Sequence, residues 1–164
     1  MIRLATLDDV AAIAAIFHDT VKAVNSHDYS AGQINAWAGN SPEPEKWRAR
    51  QTRRRTFVFE KGDAIHGFAE FEPRGHIDAG YVHAEQQRKG VASALLARME
   101  QEAEALGLGR LFTEASITAR PFFVRHGFET LQEQVVEYRG CRFRNFKMAK
   151  RMPNTAPARG AGQP

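Results

Sequence analysis

The chain has 164 residues, of which 43% are hydrophobic and 26% are charged, and its formal net charge is +4. This length and composition predict one globular domain with a buried apolar core, and they argue against an intrinsically disordered chain and against a coiled coil. The single cysteine, Cys141, excludes an intramolecular disulfide framework and fits a reducing compartment. No apolar run approaches the roughly 18 to 20 residues of a spanning helix, and the N-terminus shows no signal-peptide segment. We therefore expect a soluble, cytoplasmic protein.

Arginine supplies most of the positive charge, with 17 of the 23 basic residues, and it is grouped. One group lies between residues 48 and 55, and a second lies between residues 139 and 159, where no acidic residue occurs. Such groups favour an anionic ligand, nucleic acid or an acidic partner surface. A solvated arginine-rich surface explains either group on its own just as well.

The N-terminal quarter is predicted to be helical after a short strand over residues 2–4. Thr6 and Asp9 have the spacing of a capping box at the start of a helix. Apolar residues then recur at helical intervals and predict the first helix. These residues are Val10, Ile13, Ala14, Phe17, Val21 and Val24.

Two shorter helices are predicted next. The first covers residues 29–39, with Ser30 as its cap. The second is a charged helix over residues 45–54, for which Pro42 suits the first turn.

A change to extended segments begins at Thr56. Residues 56–60 and 65–72 predict an antiparallel hairpin, and residues 76–83 predict a third strand after a short turn. Because the three strands are consecutive in the chain, a meander is the economical arrangement.

The C-terminal half alternates helices and strands. A long amphipathic helix is predicted from Val91 to Leu106, followed by a strand over 111–115 and a short helix over 118–126. Two last strands flank the turn at Arg139 and Gly140. The element order predicts one mixed α/β domain over residues 1–152 with a partly antiparallel sheet. Residues 153–164, rich in Pro, Gly and Ala, predict a disordered tail.

The run from Tyr81 to Leu96 carries the most chemical information. It predicts the end of a strand, a polar turn, and a helix that begins with small residues. Backbone N–H groups at a helix N-terminus lack intrahelical partners and bind phosphate well. Gly90 and Ala92 permit close approach to the backbone, while Arg88 and Lys89 add positive charge. The run therefore predicts a pyrophosphate cradle. Because it lacks both GxxxxGK[ST] and GxGxxG, it supports neither of the two common nucleotide-binding motifs.

This run resembles the signature of the GNAT superfamily of acyl-CoA-dependent N-acyltransferases, Gln/Arg-x-x-Gly-x-Gly/Ala, as Gln87-Arg-Lys-Gly90-Val-Ala92. A second element of that family, Asn-x-x-Ala-x-x-Phe-Tyr-x-x-x-Gly-Phe, is similar to Ser116-Ile-Thr-Ala-Arg-Pro-Phe-Phe-Val-Arg-His-Gly-Phe128. The pair Asp28-Tyr-Ser30 and Ala36-Trp-Ala38 is similar to stand-alone bacterial members. The resemblance covers about residues 2–150. It implies a central, mostly antiparallel seven-stranded sheet with β4 and β5 splayed, flanked by about four helices.

The resemblance also implies acetyl-CoA as cosubstrate and the groups that would bind it. The strand end would pair with the pantetheine arm through the backbone of Tyr81, Val82 and His83. The amides of the following turn would hold the pyrophosphate: Gln87, Arg88, Lys89, Gly90, Val91 and Ala92. Ser116 stands where the family often has a coenzyme-contacting asparagine. No metal is expected.

Transfer of an acyl group to an amine requires removal of a proton and stabilisation of an oxyanion. In the superfamily the base often occupies positions that match His76 and Asp78. Regular alternation would place both on one side of the strand with Gly80 and Val82, whose N–H is the candidate oxyanion donor. The alternatives are a turn role for His76 and, for Asp78, a structural hydrogen bond or an ion pair with an arginine. A bulge at Gly80 would break the alternation.

The family's usual acid is a tyrosine, and Phe123 stands in its place. Either the thiolate leaves unassisted, which we favour because thiol pKa values lie near 8.5, or another tyrosine substitutes. Tyr29 and Trp37 are predicted walls of the acceptor site, with packing of the second helix on the sheet as the alternative.

The function predicted in this way is acetyl transfer from acetyl-CoA to a small-molecule amine in a ternary complex, by a monomer or homodimer. Acetylation of a protein or of aminoacyl-tRNA is an alternative, because the arginine groups suit phosphate contacts. A third reading is a non-catalytic CoA-binding regulator or a nucleic-acid-binding module.

Overall fold

The computed structural model describes residues 1–153 and contains seven strands and five α-helices. The strands are β1 Ile2–Leu4, β2 Arg55–Lys61, β3 Ala64–Phe71, β4 His76–Val82, β5 Arg110–Ser116, β6 Glu129–Tyr138 and β7 Cys141–Arg151. The helices are α1 Val10–Ala23, α2 Ala31–Ala38, α3 Pro44–Gln51, α4 Val91–Ala105 and α5 Arg120–Arg125. All but the first residue of the predicted tail lies outside the described residues. Within residues 1–153, no helix combines the length and apolar character needed to cross a membrane.

All seven strands form one sheet in the order β1-β2-β3-β4-β5-β7-β6. Every neighbouring pair is antiparallel except β4 and β5, which are parallel and paired only at His76 with Phe112 and Ile77 with Thr113. The Thr113 hydroxyl donates to the Ile77 carbonyl at 2.8 Å, at the last point of contact. Beyond it the two strands diverge, so the predicted mixed α/β fold with splayed central strands is confirmed.

Each face of the sheet carries its own apolar core. On one face α4 packs against the sheet through Val91, Leu95, Leu96 and Met99, and we call this the α4 face. On the opposite face α1, α2 and α3 pack through residues such as Phe17, Ile34 and Trp47, and we call this the α1 face. The sheet therefore separates two apolar layers.

The predicted caps of the N-terminal helices are present. The Ser30 Oγ accepts from the Gln33 N–H at 3.2 Å, and the Gln33 side chain accepts from the Ser30 N–H at 2.8 Å. The box of Thr6 and Asp9 opens a short 3₁₀ turn that leads into α1. These reciprocal bonds satisfy N–H groups that a helix start otherwise leaves unpaired.

Two boundaries differ from the sequence prediction. Helix α3 begins at Pro44 rather than near Pro42, and it ends at Gln51 because the N–H groups of Arg53 and Arg54 both turn back to the Arg50 carbonyl. Residues 1–153 contain five α-helices, where the family resemblance implies about four.

Candidate active site

A cavity of about 1250 Å³ opens where β4 and β5 diverge. It exceeds the range of roughly 300 to 1,000 Å³ typical of small-ligand pockets, so it can hold a large ligand together with a second one. The cavity reaches from the first turn of α4 through the sheet to α1 and α3. Most of the predicted site residues line it: Tyr29, Trp37, Asp78, Tyr81, Val82, Gln87, Arg88, Gly90, Val91, Ala92 and Ser116. Three predicted residues are not among its lining residues: His76, His83 and Lys89.

The end of β4 presents backbone groups to the cavity. The His83 N–H donates to the His66 carbonyl in β3 at 2.8 Å. Because N–H groups alternate in direction along a strand, the N–H of Val82 points the other way, into the space that β5 has left. The Val82 carbonyl is fixed by the Thr20 hydroxyl at 3.0 Å and by Gln87 Nε2 at 2.7 Å. This edge can pair with an extended chain of amides and can donate to a developing oxyanion.

His83 itself is committed within the chain. Its carbonyl accepts from the Gln86 N–H at 2.8 Å, and its ring Nδ1 accepts from the Glu85 N–H at 3.2 Å. Because its N–H is also used, the backbone pairing predicted for His83 is taken up by the sheet and the turn rather than left to a ligand.

The first turn of α4 forms a cradle for an anion. Gly90, the cap, has a φ of +83°, a conformation that favours glycine, and a Cβ there would meet no atom within 4 Å. No side chain in the described residues caps this helix start. The Ala94 N–H donates to the Gly90 carbonyl as the first helical bond, so the N–H groups of residues 91–93 remain for a ligand.

The charges around this cradle differ in part from the prediction. Arg88 lines the cavity, but the Lys89 ammonium turns away and donates to the Glu85 carbonyl at 2.9 Å. Arg125 and His126 of the α5 end also line the cavity. The sequence did not predict these two residues, because residue spacing at the end of α5 does not show that this end lies near the start of α4.

A β-bulge interrupts β4 at Asp78. Glu70 pairs with Ala79 and Phe71 pairs with Ile77, which leaves Asp78 without an opposite residue. The bulge breaks the alternation, so Ile77 packs in the α4-face core while Ala79 packs in the α1-face core. The predicted single row is therefore wrong: His76 and Asp78 share the α1 face, whereas Val82 packs on the α4 face. The bulge lies two residues before the Gly80 position considered from the sequence.

Asp78 is held by two arginines. Its Oδ2 lies 2.6 Å from Arg50 Nη2 and 2.7 Å from Arg54 Nε. Arg50 Nε also binds both oxygens of Glu70, at 3.1 and 2.9 Å, and Glu70 is 0% exposed. Burial raises the pKa of the Glu70 carboxyl, and the hydrogen bonds from Arg50 oppose that rise. The ion-pair alternative for Asp78 is thus what the structure contains.

This network changes the meaning of the first arginine group. Arg50 and Arg54 bind carboxylates of the β3–β4 region, and Arg55 binds Glu102 of α4. Arg48 also lies 3.4 Å from Glu45 of its own helix. Since four of the five arginines between residues 48 and 55 have internal partners, their presence in the sequence is no argument for a nucleic-acid acceptor.

His76 lies behind the cavity wall between two carboxylates. Its ring is buried and stacks on Phe112, with centroids 4.9 Å apart. Its Nε2 is 2.5 Å from a Glu114 oxygen, and its Nδ1 is 3.3 Å from a Glu72 oxygen. Glu114, unlike His76, lines the cavity. Sequence reasoning missed Glu114 because the relation between β4 and β5 cannot be obtained from either strand alone.

Glu72, His76 and Asp78 offer ligand atoms within 4.8 Å of one another, a spacing that could suit a metal ion. Arg54 Nε, however, lies 3.4 Å from Glu72 and 2.7 Å from Asp78. The Arg54 guanidinium therefore already balances the negative charge of these two carboxylates.

Aromatic side chains form the wall on the α1 face. Tyr29 and Trp37 meet edge to face at 5.2 Å, and both contact Phe143. The Tyr29 hydroxyl accepts from the Ile117 N–H at 2.9 Å and donates to the Arg144 carbonyl at 3.1 Å. Tyr29 therefore serves both the wall and the attachment of the segment before α2 to the sheet, and its only proton is already donated.

The predicted acid position and the asparagine position hold local structure. Phe123 packs against Phe122 and Phe128 and carries no proton to donate. The Ser116 Oγ accepts from the Ala119 N–H at 3.0 Å, and this turn delays the start of α5 to Arg120. The Ser116 hydroxyl keeps its own hydrogen for a ligand.

The chain is similar in sequence and in fold to known acetyltransferases. The acetyltransferase (GNAT) domain family matches residues 25–150. The uncharacterized N-acetyltransferase YafP of Escherichia coli strain K12 is 38% identical over 141 residues, which covers 85% of this chain and 88% of YafP. A GCN5-related N-acetyltransferase from Rhodopseudomonas palustris superposes with a TM-score of 0.88 at 30% identity, covering 92% of this chain and 94% of that one.

The acetyltransferase YncA of Salmonella typhimurium, solved with its cofactor acetyl-CoA, shares the fold with a TM-score of 0.68 at 23% identity, covering 96% of both chains. A splayed β4–β5 pair, an uncapped glycine-led helix at the opening and the family match over residues 25–150 agree. The chain belongs to the GNAT superfamily of N-acetyltransferases.

Proposed function

We propose that the chain transfers the acetyl group of acetyl-CoA to the amine of a small molecule, with both substrates bound at once. One observation carries the proposal: a single cavity joins the anion cradle of α4, the free edge of β4 and the carboxylates of Asp78 and Glu114. The cradle suits the pyrophosphate, the edge suits the pantetheine amides, and the carboxylates suit an ammonium group.

At the cofactor end, the N–H groups between Gln87 and Ala92 would bind the pyrophosphate, with Arg88 and Arg125 supplying charge from both sides. The pantetheine arm would follow β4 beside Tyr81 and Val82. Bound there, acetyl-CoA supplies the thioester carbon that the amine attacks.

At the acceptor end, an amine that arrives protonated must lose a proton before it can attack. We assign Asp78, fixed by Arg50 and Arg54, to hold the ammonium group. We assign Glu114 to accept the proton, directly or through one water. His76 lies against Glu114 at 2.5 Å and would position it and share the proton.

The amine nitrogen then bonds to the carbonyl carbon. The oxyanion that forms would accept a hydrogen bond from the Val82 N–H. The nitrogen of this intermediate carries one proton more than the amide product. As collapse breaks the carbon–sulfur bond, the departing thiolate takes up that proton, directly or through water, and CoA and the N-acetyl product are released. A thiol of ordinary pKa, near 8.5, is a good leaving group, so Phe123 in the usual acid position is compatible with turnover.

The test measures thiol release from acetyl-CoA across a panel of small amines, with a water-only control. Turnover with at least one amine is expected. Glu114→Gln should lower kcat by about 10²- to 10⁴-fold, the contribution typical of a general base, without weakening acetyl-CoA binding. Asp78→Asn should raise KM for the amine, and His76→Asn should shift the pH profile of kcat.

Glu133→Gln is the matched control, because Glu133 is an exposed β6 carboxylate that does not line the cavity. It should leave turnover unchanged. Acetyl-CoA binding without thiol release for any amine would contradict the proposal and favour a non-catalytic CoA-binding protein.

A further inference from the structure

A row of three cations runs along α3 and the turn that follows it. Lys46, Arg50 and Arg54 are spaced four residues apart, so they lie on one side of the helix, and Lys46 and Arg50 both line the cavity. The two arginines are compensated by carboxylates of the network around Asp78. Lys46 differs: no carboxylate among residues 1–153 lies within ion-pair distance of its ammonium.

The surroundings of Lys46 are aromatic rather than acidic. Its Nζ lies 5.3 Å from the centroid of the Phe17 ring and 5.8 Å from that of Tyr138. It donates to the Tyr138 hydroxyl at 3.4 Å, which leaves the hydroxyl hydrogen free for another acceptor. The Lys46 side chain is partly exposed, and its ammonium, beside two aromatic rings and without a carboxylate partner, can form a charge-assisted hydrogen bond with an anionic group of a ligand.

The cofactor does not account for this cation. Lys46 belongs to α3, which packs against α1, whereas the phosphate cradle is formed by α4 on the opposite face of the sheet. Arg88 and Arg125 already supply positive charge at that cradle. The unpaired charge of Lys46 therefore lies at the acceptor end of the cavity.

We infer that Lys46 and Tyr138 form a binding site for a carboxylate carried by the acceptor, so that the acceptor is an amino acid or a similar amine with an acidic group. This inference rests on the proposed function and specifies its substrate class. The ammonium end faces Asp78 and Glu114, the carboxylate end faces Lys46, and the aromatic wall of Trp37 and Phe143 contacts the rest of the molecule.

Binding without turnover provides the first test. 3-Phenylpropanoate and its uncharged amide, 3-phenylpropanamide, differ in charge and have no amine to acetylate. Calorimetry with the CoA-saturated protein should show the carboxylate binding about tenfold more tightly than the amide, as one charged hydrogen-bonded contact provides. Lys46→Gln should abolish this preference, and Tyr138→Phe should reduce it.

Lys22→Gln is the matched control, since Lys22 is an exposed lysine of α1 that does not line the cavity. It should keep the full preference. Equal affinities of the two probes for the unsubstituted protein, no binding of either, or a preference that survives Lys46→Gln would overturn the inference.

A kinetic comparison then connects the site to catalysis. Phenylalanine and phenethylamine differ only in the carboxylate, and Lys46→Gln should raise KM for phenylalanine about tenfold without changing that for phenethylamine. The binding test needs no turnover, so the two proposals can fail separately. A protein that acetylates no amine would contradict the proposed function, and the calorimetry would still test the carboxylate site.

Discussion

The substitution Arg50→Met tests how much the ion pair of Arg50 with Glu70, beneath the active site, stabilises the fold. The Glu70 carboxylate is 0% exposed, and Arg50 binds both of its oxygens. Methionine keeps an apolar side chain beside Trp47, over which the Arg50 guanidinium lies at 5.0 Å. The substitution therefore removes the charge while it preserves much of the packing, and it leaves Glu70 with Arg54 at 4.0 Å as its nearest cation.

Removing one partner of a buried pair costs about 3 to 5 kcal/mol, because it leaves an uncompensated buried charge. The cost should depend on pH. Burial already raises the pKa of Glu70 above its ordinary value of 4.5, and loss of Arg50 removes the main opposing effect. Since the folded pKa lies above the unfolded one, the variant is least penalised below pH 4.5 and loses stability as the pH rises through the folded pKa.

Urea unfolding followed by tryptophan fluorescence between pH 4 and pH 8 measures this effect, as about 1.4 kcal/mol per pH unit at most for one proton. The double variant Arg50→Met, Glu70→Gln is the control, because it lacks the Glu70 carboxylate. It should recover most of the lost stability at neutral pH and lack the additional pH dependence. A loss below about 1 kcal/mol at pH 7, or the same pH dependence in both variants, would show that Arg50 does not compensate a buried charge on Glu70.

Two further substitutions test bonds that shape the cavity. Tyr29→Phe leaves the Ile117 N–H and the Arg144 carbonyl without their partner, so the free energy of unfolding should fall by about 1 to 3 kcal/mol, measured as a lower urea midpoint; an unchanged midpoint would contradict a structural role for the hydroxyl. Gln87→Ala frees the Val82 carbonyl and should weaken acetyl-CoA binding several-fold by calorimetry with little change in stability; an unchanged dissociation constant would show that this bond does not organise the strand end.

Local signals in the sequence predicted much of the fold. Apolar periodicity located α1 and α4, Ser30 capped α2, and the turn signals placed the β2–β3–β4 meander. The two family-like motifs placed the α4 start beside the parting of β4 and β5. These features depend on neighbouring residues, which is why one sequence suffices to predict them.

The arrangement of side chains at the acceptor end depends on contacts between distant segments. The bulge at Asp78 follows from the pairing of β4 with β3, and it changed which face each later residue occupies. The contact of His76 with Glu114 requires β5 to lie beside β4 although 38 residues separate the two side chains. The partners of Arg50 lie 20 and 28 residues away, so the same arginine group looked free in the sequence.

Calorimetric titration of Gly90→Ala with acetyl-CoA shows whether the first turn of α4 holds the cofactor. Gly140→Ala is the matched control: both glycines have positive φ, +83° and +77°, and neither would place a Cβ within 4 Å of another atom. Both substitutions should therefore cost similar backbone strain of about 1 to 2 kcal/mol. We predict that acetyl-CoA binds the unsubstituted protein and Gly140→Ala alike and binds Gly90→Ala at least tenfold more weakly. Equal affinity for all three proteins, or no binding to any of them, would show that the first turn of α4 does not bind acetyl-CoA.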